Sequence, residues 1–378
     1  MKKRIVIVGT AYPYRGGLAV YNERLAHEYQ SKGYDVTIYT FTLQYPNFLF
    51  PGKTQYSTSV APENLHIVRK VNSVNPFNWL KVGHEIKKLS PDLVIIKFWL
   101  PFMAPCLGTI ARIARRNKNT RTISILDNII PHEHRIGDRL FARYFINSID
   151  GFVAMSQSVL NDAETFDRKK PKIFSPHPLY DNFGEHVTRE EAIQHLNLNP
   201  STQYILFFGL IRDYKGLDWL LRAFSDKRLD NKNIKLIVAG EFYNNAEQYE
   251  TLERELGIQG RVIWHREFIP NEEVRYFFSA ADLIAQPYKS ATQSGVTQIA
   301  YHFERPMLVT DVGGLAEIVP NGKVGYVVAP KVEAIADALV DWANSNQKES
   351  FAQGLKDEKC KYSWDKMIQA IEKAAGKQ

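Results

Sequence analysis

Short apolar runs alternate with glycine-bearing loops and helix-patterned segments along most of this chain, and few architectures accept that rhythm. Arg4 to Gly9, Asp35 to Thr40, Leu93 to Lys97, Arg121 to Leu126 and Gly151 to Ser156 are such runs, each of strand length. After the first, Pro13 and Gly16-Gly17 mark a loop. Val20 to Ser31 then shows helical spacing at Val20, Leu25 and Tyr29, and Gly33 stops it. Strand, glycine loop, helix, strand is one βαβ unit of a doubly wound parallel sheet.

The rhythm restarts in the second half. Tyr204 to Phe208 reads as a strand, Gly209 to Gly216 as a loop and Leu217 to Phe224 as an amphipathic helix. Ile234 to Ala239 and Val262 to Trp264 are further strands, and a helix is expected from Glu272 to Ala280 behind an Asn271 cap. Between the halves, Ser175 to Tyr180 breaks the pattern and reads as a linker, with a helical patch at Glu190 to Leu196. The fold class is therefore α/β: two Rossmann-like lobes, expected to face a central cleft. The boundaries are placed at 1–178 and 179–363.

The stretch from Ala281 to Val319 is the first place to look for a ligand. Leu283 to Ala285 is a short buried strand or the tail of a helix, and the small-residue loop Ser290 to Gly295 follows it. Val296 to Phe303 reads as a helix, ended by Arg305-Pro306 because proline disfavours a helical residue before it. Met307 to Thr310 is another strand, and Asp311 to Gly314 turns the chain into a helix at Leu315. Loops at the carboxyl ends of parallel strands are where open α/β sheets bind ligands.

Composition excludes several classes. The 378 residues suit about two domains, and no run of some 18 apolar residues is present to span a bilayer. The apolar part of the N-terminus is too short for a signal peptide and reads as the first strand. Cys106 and Cys360 give neither a disulfide framework nor a metal-ligand spacing, which fits a reducing cytoplasm. Residues 1–180 carry 25 Lys and Arg against 13 Asp and Glu, and the remainder 23 against 28, so the positive charge is held by the first half. A basic half suits an anionic membrane face, here the inner one, or a phosphorylated substrate, and equally a solvated surface. No nucleic-acid signature of interleaved aromatics is present.

Three loops carry candidate chemistry. Gly16-Gly17 does not match a dinucleotide fingerprint; it brings backbone amides toward an anion or makes a tight turn needing positive φ. Asp127 to Glu133 crowds Asp127, His132 and Glu133 at a strand end, as acid/base groups or as helix caps. Phe208 to Gly216 places Arg212 and Lys215 between a strand end and a helix start, which fits a diphosphate. The aromatic segment Leu43 to Tyr56 reads as a long loop whose Phe48, Leu49 and Phe50 meet an apolar partner or pack beneath it.

Taken together, Gly16-Gly17, the GLIRDYKG loop at 209–216, Ile237 to Gly240, Ala280 to Leu283, Arg305 to Gly314 and Tyr362 to Asp365 resemble the family 4 glycosyltransferases, over nearly the whole chain. The resemblance implies the GT-B fold, with the last helix, 364–378, packing back on the first lobe. It implies a retaining hexosyl transfer from a UDP- or GDP-linked sugar to a glycan or lipid-linked acceptor, with no cofactor or metal. Arg212 and Lys215 would hold the donor diphosphate and stabilise charge on the leaving group, with Asp127 or His132 as further catalytic groups. Gly16, Gly17, Gly209, Glu241, Ser290, Thr292, Gln293, Ser294, Gly295 and Gln298 would line the donor site.

Two departures stand out. Where the family has two glutamates separated by seven residues, this chain has Ser290 and Gln298, and where it tends to have a histidine, this chain has Asp127. A non-catalytic nucleotide-sugar-binding protein and a nucleotide-sugar epimerase are the alternative readings.

Overall fold

The computed structural model describes residues 2–46, 54–57, 60–130, 137–243, 246–291, 294–345 and 347–376. The chain divides into two compact units, Met1–His177 with Ser363–Gln378, and Pro178–Tyr362.

The first unit runs β1 (Arg4–Val8), α1 (Gly17–Ser31), β2 (Asp35–Leu43), β3 (His66–Asn72), α2 (Pro76–Leu89), β4 (Leu93–Phe98), α3 (Ala104–Ala114) and β5 (Arg121–Leu126). It continues through α4 (Asp138–Ile146), β6 (Gly151–Ala154), α5 (Gln157–Phe166) and β7 (Lys172–Phe174). The strands pair in parallel in the order β3-β2-β1-β4-β5-β6-β7. Central strands covered on both faces need side chains that are apolar in succession, which is why Ile5 to Val8 of β1 and Leu93 to Ile96 of β4 read as apolar runs. β3 at the edge buries only Val71 fully and carries no such run.

Local chemistry sets several helix starts. Asn75 accepts from the Asn78 amide with Pro76 at the first helical position, and Ser156 accepts from the Val159 amide. Gly16 precedes α1 with φ +98°, the positive value that a tight turn there needs. The final helix of the chain also belongs to this unit.

The second unit runs α6 (Arg189–His195), β8 (Gln203–Phe208), α7 (Leu217–Phe224), β9 (Ile234–Ala239), α8 (Glu247–Glu255), β10 (Val262–His265) and α9 (Val274–Ala280). Then follow β11 (Leu283–Gln286), α10 (Gly295–His302), β12 (Met307–Thr310), α11 (Leu315–Ile318), β13 (Gly325–Val328), α12 (Val332–Asn344) and α13 (Lys348–Lys359). Its parallel sheet has the order β10-β9-β8-β11-β12-β13. One core packs α7 and α12 on Ile205, Phe207, Leu236, Val238, Leu283 and Ala285.

After Tyr362 the chain enters α14 (Trp364–Ala374), capped by Ser363 on the Lys366 amide. Its apolar stripe of Trp364, Met367, Ile368 and Ile371 is buried in the first unit. Trp364 packs on Tyr21 with ring centres 5.1 Å apart, Tyr34 donates to Glu372 at 2.8 Å, and Lys32 pairs with Asp365.

Some boundaries differ from those expected. α1 begins at Gly17 rather than Val20, because a glycine-opened first turn carries no apolar period. α3 begins at Ala104, with Pro105 tolerated in its first turn. α9 begins at Val274, not Glu272, and Asn271 is not its cap. The segment Leu283 to Ala285 is a strand, extended by Gln286. Phe48, Leu49 and Phe50 lie outside the described residues.

Candidate functional site

In each sheet the chain leaves the central pair of strands in opposite directions, β1 and β4 in the first unit, β8 and β11 in the second. The crevice outside the carboxyl ends of such a pair is where open parallel sheets take ligands. In the second unit, the loops leaving β8, β9 and β11 are tied to one another there.

The β8 exit loop is held at several points. The Gly209 amide donates to Ala239 O at 2.9 Å, the Ile211 amide to Glu241 O at 2.8 Å, and the Tyr243 amide back to Ile211 O at 2.9 Å. Asp213 to Lys215 forms a 3-10 turn, and Tyr249 donates to Asp213 Oδ1 at 3.2 Å. Gly216 has φ +70°, and a Cβ there would stand 2.0 Å from Pro287 O. Gly240 has φ +147°, and a Cβ there would stand 2.1 Å from Gly209 O. Only glycine fits where the three loops press together.

This frame presents two cations. Lys215 Nζ lies 3.3 Å from the point a Gly209 Cβ would occupy, so the ammonium sits over the strand exit. Burial and, after it, the positive charge of Arg212 together lower the Lys215 pKa to about 8. Arg212 places its guanidinium carbon 4.3 Å from the centre of the Tyr243 ring. Its Nε is buried with no hydrogen-bond partner among the described residues, and no acid there forms an ion pair with either cation. Two mutually repelling cations thus share a clamped loop, beside a helix that opens at Gly216 without a side-chain cap, an arrangement suited to an anion.

The β11 exit contributes uncharged groups. Ser294 is buried, accepts from the Val296 amide at 3.2 Å and lies 3.3 Å from Tyr288 Oη. Gly295 opens α10 with the Tyr180 ring against it. Tyr288 O accepts from Thr310 Oγ1 at 2.5 Å, and burial raises the Tyr288 phenol well above its ordinary pKa. Gln298 is fully buried and neither amide atom of its side chain finds a partner among the described residues. Gln286, at the end of β11, is in the same condition. Ser290 is half-buried, Glu241 is buried, and Thr292 and Gln293 lie outside the described residues.

In the first unit, Gly17 starts α1, which has no side-chain cap. Asn22 Nδ2 donates to Thr10 O at 2.8 Å and the Tyr12 amide to Glu23 Oε1 at 2.7 Å, which anchors the β1 exit loop to that helix. Burial pushes the Glu23 carboxyl up to about 7. Asp127, at the exit of β5, accepts from Lys97 Nζ at 2.8 Å. Lys97 is 2% exposed and its ammonium stands 3.5 Å from the Tyr21 ring centre. Burial lowers the Lys97 pKa and the Asp127 charge opposes that. His132 and Glu133 lie outside the described residues.

One family model, described as Glycosyltransferase Family 4, matches residues 15–176, and another, described as Glycosyl transferases group 1, matches residues 202–345. The chain belongs to the group 1, family 4 glycosyltransferases. An uncharacterized glycosyltransferase of Methanocaldococcus jannaschii, MJ1607, is 23% identical, with 96% of this chain and 95% of the relative covered. The D-inositol 3-phosphate glycosyltransferase of Corynebacterium urealyticum is 25% identical over 73% of this chain and 69% of its own. Among solved structures, sucrose-phosphate synthase from Thermosynechococcus elongatus superposes with TM-score 0.74 at 16% identity, covering 97% of each chain. Anabaena HepE in complex with UDP and glucose gives TM-score 0.74 at 15% identity, covering 98% of this chain and 99% of its own. The fold is GT-B, built of two Rossmann-like parallel-sheet domains.

For this glycosyltransferase, Gly209, Arg212, Lys215 and Glu241 come together on the β8 and β9 exits, and Ser294, Gly295 and Gln298 on α10. Gly16, Gly17 and Asp127 belong to the first unit. Tyr243, Tyr288, Gln286 and Lys97 were not singled out from the sequence. Lys97 carried a signal, a lysine inside an otherwise apolar strand; the contact of Tyr243 with Arg212 spans 31 positions and carried none.

Proposed function

We propose that this glycosyltransferase moves a hexosyl group, with retained anomeric configuration and without a metal, from a UDP- or GDP-linked sugar to a glycan or lipid-linked acceptor. The observation that carries the reading is the acid-free pair Arg212 and Lys215 on a loop fixed by its neighbours. Transfer breaks the bond between the anomeric carbon and a diphosphate oxygen, and the acceptor hydroxyl bonds to that carbon and gives up its proton. Negative charge grows on the departing diphosphate. Two cations already in place stabilise it without reorganising, which is how electrostatic preorganisation lowers a barrier. This requires no metal ion at the phosphates.

The neutral groups fit the remainder of a nucleotide sugar. Gln298 carries both a donor and an acceptor, and hydroxyls are its natural partners in a buried place. Ser290 and Ser294 add short polar contacts, and the Gly16-Gly17 turn at the uncapped start of α1 is a further place for anionic oxygens. Asp127, fixed by Lys97, is assigned to the sugar or acceptor side.

The first unit holds 28 Lys and Arg against 15 Asp and Glu, and the second 20 against 26. That asymmetry supports peripheral contact of the first unit with an anionic membrane face, where a lipid-linked acceptor would be found. Among the described residues no helix is long and apolar enough to cross a membrane. The test is turnover with a panel of nucleotide sugars by the wild type and by Lys215→Ala, which the reading expects to be folded and inactive.

A further inference from the structure

We infer that Tyr243 is a positioning residue that holds the Arg212 guanidinium for the donor diphosphate; this rests on the reading of Arg212 and Lys215 as the donor-phosphate site. The two residues come from different loops. Arg212 follows β8 and Tyr243 follows β9, yet the Tyr243 amide donates to Ile211 O at 2.9 Å and the Ile211 amide to Glu241 O at 2.8 Å. Those bonds fix the Tyr243 backbone one residue from Arg212. Phe242 turns inward against Tyr249 and Trp264, with ring centres 5.7 and 6.1 Å away, while Tyr243 stays 37% exposed over Arg212.

Arg212 lies over an aromatic face, as Arg275 does over the Tyr276 ring at 4.9 Å, whereas two other arginines of this unit have carboxylate partners. Arg228 is held by Asp226 and Asp337, and Arg261 by Asp230. A carboxylate in that place would compete with a diphosphate for the same N–H groups. The face of an aromatic ring attracts the cation without accepting its hydrogen bonds, so the fork remains open to phosphate oxygens. The Nε of Arg212 is one N–H of that fork without a partner among the described residues. Tyr243 acts through Arg212 and is not itself assigned a contact with the donor.

Calorimetric titration of UDP and GDP into the wild type, Arg212→Ala, Tyr243→Ala, Tyr243→Leu, Tyr243→Phe and the Arg212→Ala/Tyr243→Ala double variant tests this, with melting temperatures alongside. Loss of the aromatic face in the Ala and Leu variants should weaken nucleotide binding by about two- to fivefold. Tyr243→Phe should restore it, and Tyr243→Ala should add no loss in the Arg212→Ala background. Melting temperatures should hold throughout. Wild-type affinity in Tyr243→Ala with binding lost in Arg212→Ala would overturn the inference and leave the phosphate site standing. So would an undiminished effect of Tyr243→Ala in the Arg212→Ala background, the mark of a merely structural role. A wild type that binds neither nucleotide would remove the phosphate-site reading and this inference with it.

Discussion

Lys215 donates its backbone N–H to Arg212 O at 3.0 Å, so a single tight turn places two cationic side chains side by side. That pairing is unfavourable in the empty protein and favourable once an anion lies between them, and its cost should appear in the pH dependence of the protein.

Burial, then Arg212, holds Lys215 near 8 in the folded chain, against an ordinary lysine value of 10.5. The unfolded chain therefore binds more protons between about pH 8 and 10.5, and the Lys215 contribution to stability rises with pH across that window. UDP or GDP binding should run the other way. It needs the ammonium, so affinity should fall as pH rises above about 8, and Lys215→Arg should flatten that fall. Calorimetry from pH 6.5 to 9.5, with urea unfolding over the higher range, measures both.

Gly216 and Gly322 have nearly the same φ, +70° and +73°, but a Cβ at Gly322 meets nothing within 4 Å while one at Gly216 meets Pro287 O. Gly322→Ala should cost about 1 kcal/mol, the penalty of the left-handed conformation alone. Gly216→Ala should cost at least about 2 kcal/mol and weaken nucleotide binding, because the β8 and β11 exits must part. Equal costs in urea unfolding would refute the clamp between these loops.

Lys97 and Asp127 should be unequal partners. Asp127→Asn leaves a 2% exposed ammonium without its counter-charge and should destabilise by about 3 kcal/mol. Lys97→Met replaces the ammonium with apolar volume and should cost much less, and the double variant should recover most of what Asp127→Asn loses. Chemical denaturation of the three variants provides the cycle.

Legibility followed burial. Leu217–Phe224, Ile234–Ala239 and Met307–Thr310 are found at the residues where their apolar patterns place them, because each faces a core directly. β3 and α2 left no comparable trace: the strand is at an edge, and α2 leaves Phe77 83% exposed and Leu80 45% exposed while burying only Val82, Gly83 and Ile86. Arg212 and Lys215 stood out as cations in a glycine-bounded loop. Tyr243, Gln286 and the pairing of Lys97 with Asp127 did not, since they depend on which strands become neighbours in the sheet.

The central claim is that Arg212 and Lys215 grip a donor diphosphate and stabilise its departure. Nucleotide release from UDP- and GDP-sugars, with and without added acceptor, should be measured for the wild type and for Lys215→Ala at pH 7. The account predicts turnover by the wild type with one donor class and loss of at least about a hundredfold in the variant, at an unchanged melting temperature. Near-wild-type release by a folded Lys215→Ala would contradict it.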